Sequence, residues 1–169
     1  AGTDADLLRV DGDKVLAKGV PIYLTGRILD RRGQPLANAA IEIWQCDANA
    51  VYHHPAGGAE AERDPNFQGY GVARIDAAGA FHFRTIKPIA YPGRTPHIHV
   101  RVQPTAGSAF ATQLYLADDP NNRRDFLFSR MSAEEQAALT LKFEPTPSAA
   151  PHPLARATQW TVRTELVVA

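Results

Sequence analysis

The chain has 169 residues, enough for one domain with its own hydrophobic core. Eighteen Lys and Arg balance eighteen Asp and Glu, so no basic surplus marks a nucleic-acid partner, and no run approaches the roughly 18 apolar residues of a membrane helix. A single cysteine, Cys46, excludes an internal disulfide.

Residues 1–20 are polar with scattered apolar positions and read as an N-terminal arm leading into a core at 21–169. The sequence opens on Ala1, not Met, and the compartment, cytoplasmic or exported, stays open. Ile22, Leu24, Gly26 and Ile28 share one parity, which predicts a strand. DRRGQP follows as a turn. Ala40, Glu42 and Trp44 then alternate with Ile41, Ile43 and Gln45 in a second strand. Residues 50–70 are loop-like, and Gly71 to Ile75 is a short strand. After the turn DAAG, AFHFRTI places Phe81 and Phe83 on one face and His82, read as exposed, on the other. HIHVRVQP and FATQLYLAD read as two more strands. SAEEQAALT is the one good short helix, with Ser132 as N-cap and Glu135 three residues on. TPSAAPHP is a loop holding His152, and WTVRTELVV closes the chain as a strand. About seven short strands with Gly/Pro turns predict an all-β fold, an antiparallel β-sandwich with long loops and one short helix. Gly-rich phosphate loops, zinc-type cysteine spacings and a GxSxG elbow are all missing from the sequence.

The segment YPGRTPHIHV concentrates the chemistry. Side chains two apart on a strand point the same way, so His97 and His99 project together. Such a pair can ligate one metal, or can simply be solvated or hydrogen-bonded on a sheet face. Asp, Glu and Cys are absent from this window, whereas Tyr91 lies within it and Tyr52 stands earlier in VYHHP. A phenolate ligand calls for a highly charged Lewis acid, because the metal must displace a proton of pKa about 10. Ferric iron meets that need; calcium and magnesium do not require it.

Four segments in order resemble the intradiol ring-cleaving dioxygenases, in particular the catalytic core of the protocatechuate 3,4-dioxygenases: GRILDRRGQPLANAAIEIWQCDANAVYHH, DPNFQGYGVARIDAAGAFHFRTIKPIAYP, RTPHIHV and TQLYLADDP. The match spans residues 22 to 120 and weakens toward the C-terminus. Carried over position by position, the resemblance implies an Fe(III) centre with Tyr52, Tyr91, His97 and His99 as ligands beside a solvent-derived hydroxide. Tyr91 and His99 would be axial, Tyr52 and His97 equatorial. It further implies catalytic roles for Tyr91, which would leave as a phenol when a catechol binds, and for Arg94 and Gln113 close to the substrate. The expected reaction consumes O2 and gives a cis,cis-muconate-type product, with no nicotinamide or flavin.

The chain departs from that pattern in three places. Only Pro92 and Gly93 separate Tyr91 from Arg94, where protocatechuate enzymes carry a longer loop; this implies a more open mouth and catechols without a mandatory carboxylate. The family's N-terminal lead is not recognisable in residues 1–20, and the helical dimerisation region of catechol and hydroxyquinol dioxygenases has no counterpart. With all four ligands on one chain, a monomer or a homo-oligomer would serve. His53 and His54 read as rim or surface residues, Tyr70 as a mouth or packed ring, Tyr23 and Tyr115 as strand residues, and Trp44 and Trp160 as strand core. Cys46 reads as a small buried residue. The competing readings are an inactive transthyretin-like ligand-binding sandwich and a histidine-only zinc or copper site.

Overall fold

The computed structural model describes residues 4–10, 15–52 and 63–168. Its strands are β1 (Pro21–Leu29), β2 (Ala40–Trp44), β3 (Tyr70–Arg74), β4 (Ala80–Ile86), β5 (His97–Gln103), β6 (Phe110–Leu116), β7 (Thr140–Leu141), β8 (Phe143–Pro145) and β9 (Trp160–Val167), with one α-helix among the described residues, α1 (Ala133–Leu139), and short 3-10 turns of helix at Pro120–Arg124, Phe128–Arg130 and Pro153–Ala155. One sheet runs β4-β1-β9-β8 and the other β3-β2-β5-β6-β7. The expected all-β sandwich is present, with two pairings that are parallel, β1 with β9 and β6 with β7. β9 is antiparallel to β8, which sends it back alongside β1 in the same direction. β7 and β8 escape sequence reading because two or three residues are too short to show a period of two.

The alternation of each strand sorts its side chains. Ile22, Leu24 and Ile28 of β1, Phe81 and Phe83 of β4 and Val162 and Leu166 of β9 meet Ile41, Ile43, Ile98, Val100, Val102 and Leu114 of the other sheet in one core. Fully burying one such side chain contributes about 1.5–3 kcal/mol. Gln45, completely buried just past β2, bridges the two sheets: its amide donates to the Ile86 carbonyl at 3.0 Å and accepts from the Thr85 hydroxyl at 2.7 Å. The helix begins as expected, with Ser132 and Glu135 forming a reciprocal capping box.

The segment read as an arm is tied down where it is described. Leu7 and Leu8 are fully buried in the core. The Leu7 N–H donates to the Arg84 carbonyl at 2.8 Å, and Arg84 forks onto the Asp6 carboxylate at 2.9 and 2.5 Å. A Cβ on Gly71 would sit 2.4 Å from Leu7 Cδ1 and 2.9 Å from the Asp4 carbonyl oxygen, a backbone atom that cannot swing aside, so the close approach of this segment to β3 favours glycine there.

Candidate active site

The site lies on the outer face of the five-stranded sheet. Ile98 and Val100 occupy the inward parity of β5, which forces His97 and His99 outward together. Register then decides their neighbours: His97 stands opposite Tyr115, and His99 lies between Trp44 on β2 and Gln113 on β6. Tyr52 arrives from the loop after β2. That loop is folded around the buried Asp47, whose carboxylate accepts from the backbone N–H groups of Asn49, Val51 and Asp64 at 2.9, 3.0 and 2.7 Å. Tyr91 and Arg94 bracket a tight turn closed by the Arg94 N–H on the Tyr91 carbonyl at 2.9 Å. Pro92 suits its second position, and Gly93, at φ +87°, its third.

Three donor atoms converge. The Tyr52 hydroxyl lies 3.3 Å from His97 Nε2 and 3.2 Å from His99 Nε2, and the two imidazole nitrogens are 3.2 Å apart. The Tyr91 ring stands edge-on to Tyr52 at 5.5 Å between centroids and 5.6 Å from His97. His97 Nδ1 bonds the Thr95 carbonyl at 2.7 Å, which puts the proton on Nδ1 and leaves the Nε2 lone pair facing the cluster. Trp44 stacks on His99 at 4.8 Å and an interplanar angle of 2°. Burial, then the neighbouring His97 and Arg94, pushes the His99 pKa down to about 4; burial likewise lowers that of His97. Both rings are therefore neutral near pH 7, as a metal ligand must be. Burial first, and then the nearby Tyr91, raises the Tyr52 phenol above its ordinary value. It ionises only where a strong positive charge replaces the lost solvation.

Arg94 is held by a network. Its Nε donates to Asp125 at 2.8 Å, Nη2 donates to the Gln113 carbonyl oxygen at 2.5 Å, and Nη1 lies 3.5 Å from His97 Nε2. The Phe126 ring covers the guanidinium at 5.3 Å. Burial raises the Asp125 carboxyl, but hydrogen bonds from Arg94, Phe128 and Thr95 and the Arg94 charge outweigh it and hold the group below the usual carboxylate range. Gln113 also accepts from the Tyr115 hydroxyl at 3.1 Å, and its amide nitrogen lies 3.4 Å from His99 Nδ1, a contact too long to fix that ring's tautomer.

The structure thus brings together Tyr52, Tyr91, Arg94, His97, His99 and Gln113. His53 and His54 lie outside the described residues. Trp44 is not core: it shares the outward parity with His99. His82 is not exposed. Its Nδ1 is 2.6 Å from the Tyr23 hydroxyl, and its ring stacks on His152 at 3.9 Å, on the far sheet. Tyr23 and Tyr115 are buried, Cys46 is buried as expected, and Tyr70 is half-exposed on β3. Sequence reading missed Asp47, Asp125 and the stacking role of Trp44. The DAN turn signal after Cys46 could have pointed to Asp47; Asp125 has no local signature.

The chain matches the Dioxygenase family over residues 1–163. It is 38% identical over 149 residues to the protocatechuate 3,4-dioxygenase beta chain of Burkholderia cepacia, covering 75% of this chain and 63% of that one. It is 32% identical over 129 residues to the hydroxyquinol 1,2-dioxygenase of a Rhizobium species, covering 66% and 42%. The chain therefore spans less than two thirds of either relative. The dioxygenase domain of a dioxygenase–carbohydrate-binding fusion protein from Streptomyces sp. SirexAA-E superposes with a TM-score of 0.67 at 30% identity, covering 98% of this chain and 87% of that one. By its family match, its sandwich and its relatives, the chain belongs to the intradiol ring-cleaving dioxygenases.

Proposed function

We propose that the protein is a non-haem Fe(III) intradiol dioxygenase that cleaves catechol-type diols between their two hydroxyls. The observation that carries this reading is the triangle of Tyr52 Oη, His97 Nε2 and His99 Nε2, with edges of 3.2 to 3.3 Å. Such edges suit three donors around one ion at bond lengths of about 2.0–2.2 Å. The donor chemistry fits as well: two neutral imidazoles beside two phenols make a hard nitrogen/oxygen set that favours a trivalent cation. A histidine-only site would leave both tyrosines without a role. Tyr52, Tyr91, His97 and His99 would hold the ion. When bound, ferric iron draws electron density from a chelated catecholate and opens its ring to O2.

The chain's own residues would supply the rest. Tyr91, whose ring meets Tyr52 edge-on at the start of the Pro92–Gly93 turn, would take up a proton that the diol loses on binding and move aside as a phenol. The Arg94 fork, beside His97, would stabilise negative charge as it develops on the ring carbon that meets oxygen. Gln113 would keep that fork in place, and Trp44 would hold the His99 ring flat. Both atoms of O2 enter the product diacid, so no external reductant is needed.

The relatives are named for protocatechuate, catechol and hydroxyquinols. For this chain we favour catechols without a mandatory carboxylate. Arg94 is already paired with Asp125, and a connection of only Pro92 and Gly93 between Tyr91 and Arg94 would leave a more open mouth than a longer loop. Freshly purified protein should contain one iron per chain and show a visible tyrosinate-to-iron absorption band. It should convert catechol or 4-methylcatechol to muconates faster than protocatechuate. Stoichiometric zinc, or a yellow semialdehyde product, would overturn the assignment; strong preference for protocatechuate would overturn only the open-mouth argument.

A further inference from the structure

The loop after β6 carries a carboxylate that the reaction outlined above does not use. Asp125 is buried, its side chain fully so, yet it is not an isolated charge. Its two oxygens do different work. Oδ1 accepts from the backbone N–H groups of Leu127 and Phe128 at 3.1 and 3.0 Å, which shapes the loop itself. Oδ2 faces the other way. It accepts from Arg94 Nε at 2.8 Å and from the Thr95 N–H at 3.0 Å. Thr95 is in turn the residue whose carbonyl fixes the His97 ring, and its hydroxyl donates to Asn122 of the same loop at 2.7 Å.

We propose that Asp125 is a positioning residue of the active centre, locking the Arg94 fork and the Thr95–His97 entry to β5 in one arrangement. The proposal rests on the reading of Tyr52, Tyr91, His97 and His99 as the reaction centre. Stapling the loop needs only Oδ1, and an asparagine would supply it. Holding Arg94 needs Oδ2 as an acceptor. With Nε committed to Asp125, the guanidinium cannot rotate about its stem, so Nη1 and Nη2 stay aimed at His97 and Gln113. Phe126, carried on the next residue, closes the face of the same guanidinium. Catalytic groups act only when held close to their working geometry, and this carboxylate supplies that restraint for a flexible side chain.

Asp125→Asn separates the two roles. Its carbonyl oxygen can still accept from Leu127 and Phe128, while its amide faces two donors, Arg94 Nε–H and Thr95 N–H. With turnover normalised to bound iron, kcat on catechol should fall about ten- to hundredfold while KM stays within about threefold. In the Arg94→Gln background the same change should lower kcat clearly less than it does in the wild type, because the part of its effect carried by Arg94 is already lost. Asp125→Glu, which keeps the charge but displaces it by a methylene, should also lower kcat and guards against a poorly folding Asn variant. A second readout needs no iron and no turnover. In the metal-free protein the Arg94 Nε–H should give a slowly exchanging NMR resonance that disappears in Asp125→Asn. Unchanged kcat per iron in both Asp125 variants, or additive losses with Arg94→Gln, would reduce Asp125 to a loop staple and overturn the proposal. If the wild-type protein cleaved no catechol, the proposed function would fail instead. The Arg94 resonance would then still decide whether Asp125 holds that side chain: its loss would support the placement, and its persistence would overturn it.

Discussion

The segment before β1 offers the sharpest test of how the sandwich is closed. Leu7 is fully buried in the common core, with its backbone bonded to both neighbours: its N–H donates to the Arg84 carbonyl at 2.8 Å and its carbonyl accepts from the Gln68 N–H at 2.9 Å. Leu7→Ala would remove the side chain packed on Gly71 but leave those backbone bonds intact. A buried Leu→Ala change costs about 2–5 kcal/mol, from lost burial and from the cavity left behind. We take about 3 kcal/mol here, a large share of the roughly 5–15 kcal/mol that holds a domain folded. At about 2–4 °C per kcal/mol for a chain of this size, Tm should drop by about 6–12 °C. Urea and thermal unfolding followed by far-UV circular dichroism measure it, with Val15→Ala as control, since Val15 is 62% exposed. Leu7 also lies apart from the donor cluster, so iron bound per folded chain should not change. A Leu7→Ala variant within about 0.5 kcal/mol of wild type, like an ordinary surface change, would refute the packing argument.

His97→Ala and His99→Ala should each sharply lower iron content, whereas Tyr91→Phe should keep some iron and lose catechol binding and turnover; metal analysis paired with O2 uptake tells the two patterns apart, and unaltered iron in both histidine variants would refute the ligand pair. On the far sheet, burial and then the neighbouring His152 lower the His82 pKa, against an opposing pull from Asp76. Above the unfolded value of about 6.5 neither state is protonated, and as pH falls below it the unfolded chain takes up the proton first, so stability is lost across that window. His82→Gln should flatten this part of the Tm–pH curve relative to wild type, and parallel curves would show that His82 contributes nothing to it.

The sequence by itself determined the layers and which side chains share a face. Alternation in β1, β2, β4, β5 and β9 is a local property of the chain: once Ile98 and Val100 face the core, His97 and His99 must face outward, whatever the rest of the fold does. The capping box at Ser132 and Glu135 and the Pro-Gly turn between Tyr91 and Arg94 are equally local, because each is set by residues within three positions of one another. The tertiary structure decided what lies opposite what. Trp44 has the same alternation whether it faces core or solvent; only the β2–β5 register lays it on His99. His82 was read as exposed because nothing nearby in the chain could cover it, yet Tyr23 and His152, 59 and 70 residues away by number, do so. Leu7 and Leu8 have no periodic pattern to announce a buried role, and their burial depends on β3 and β4 folding around them. Asp125 is the clearest case. Its meaning comes from Arg94 and Thr95, about thirty residues earlier, and no local spacing encodes a contact that only the packing of one loop against another creates.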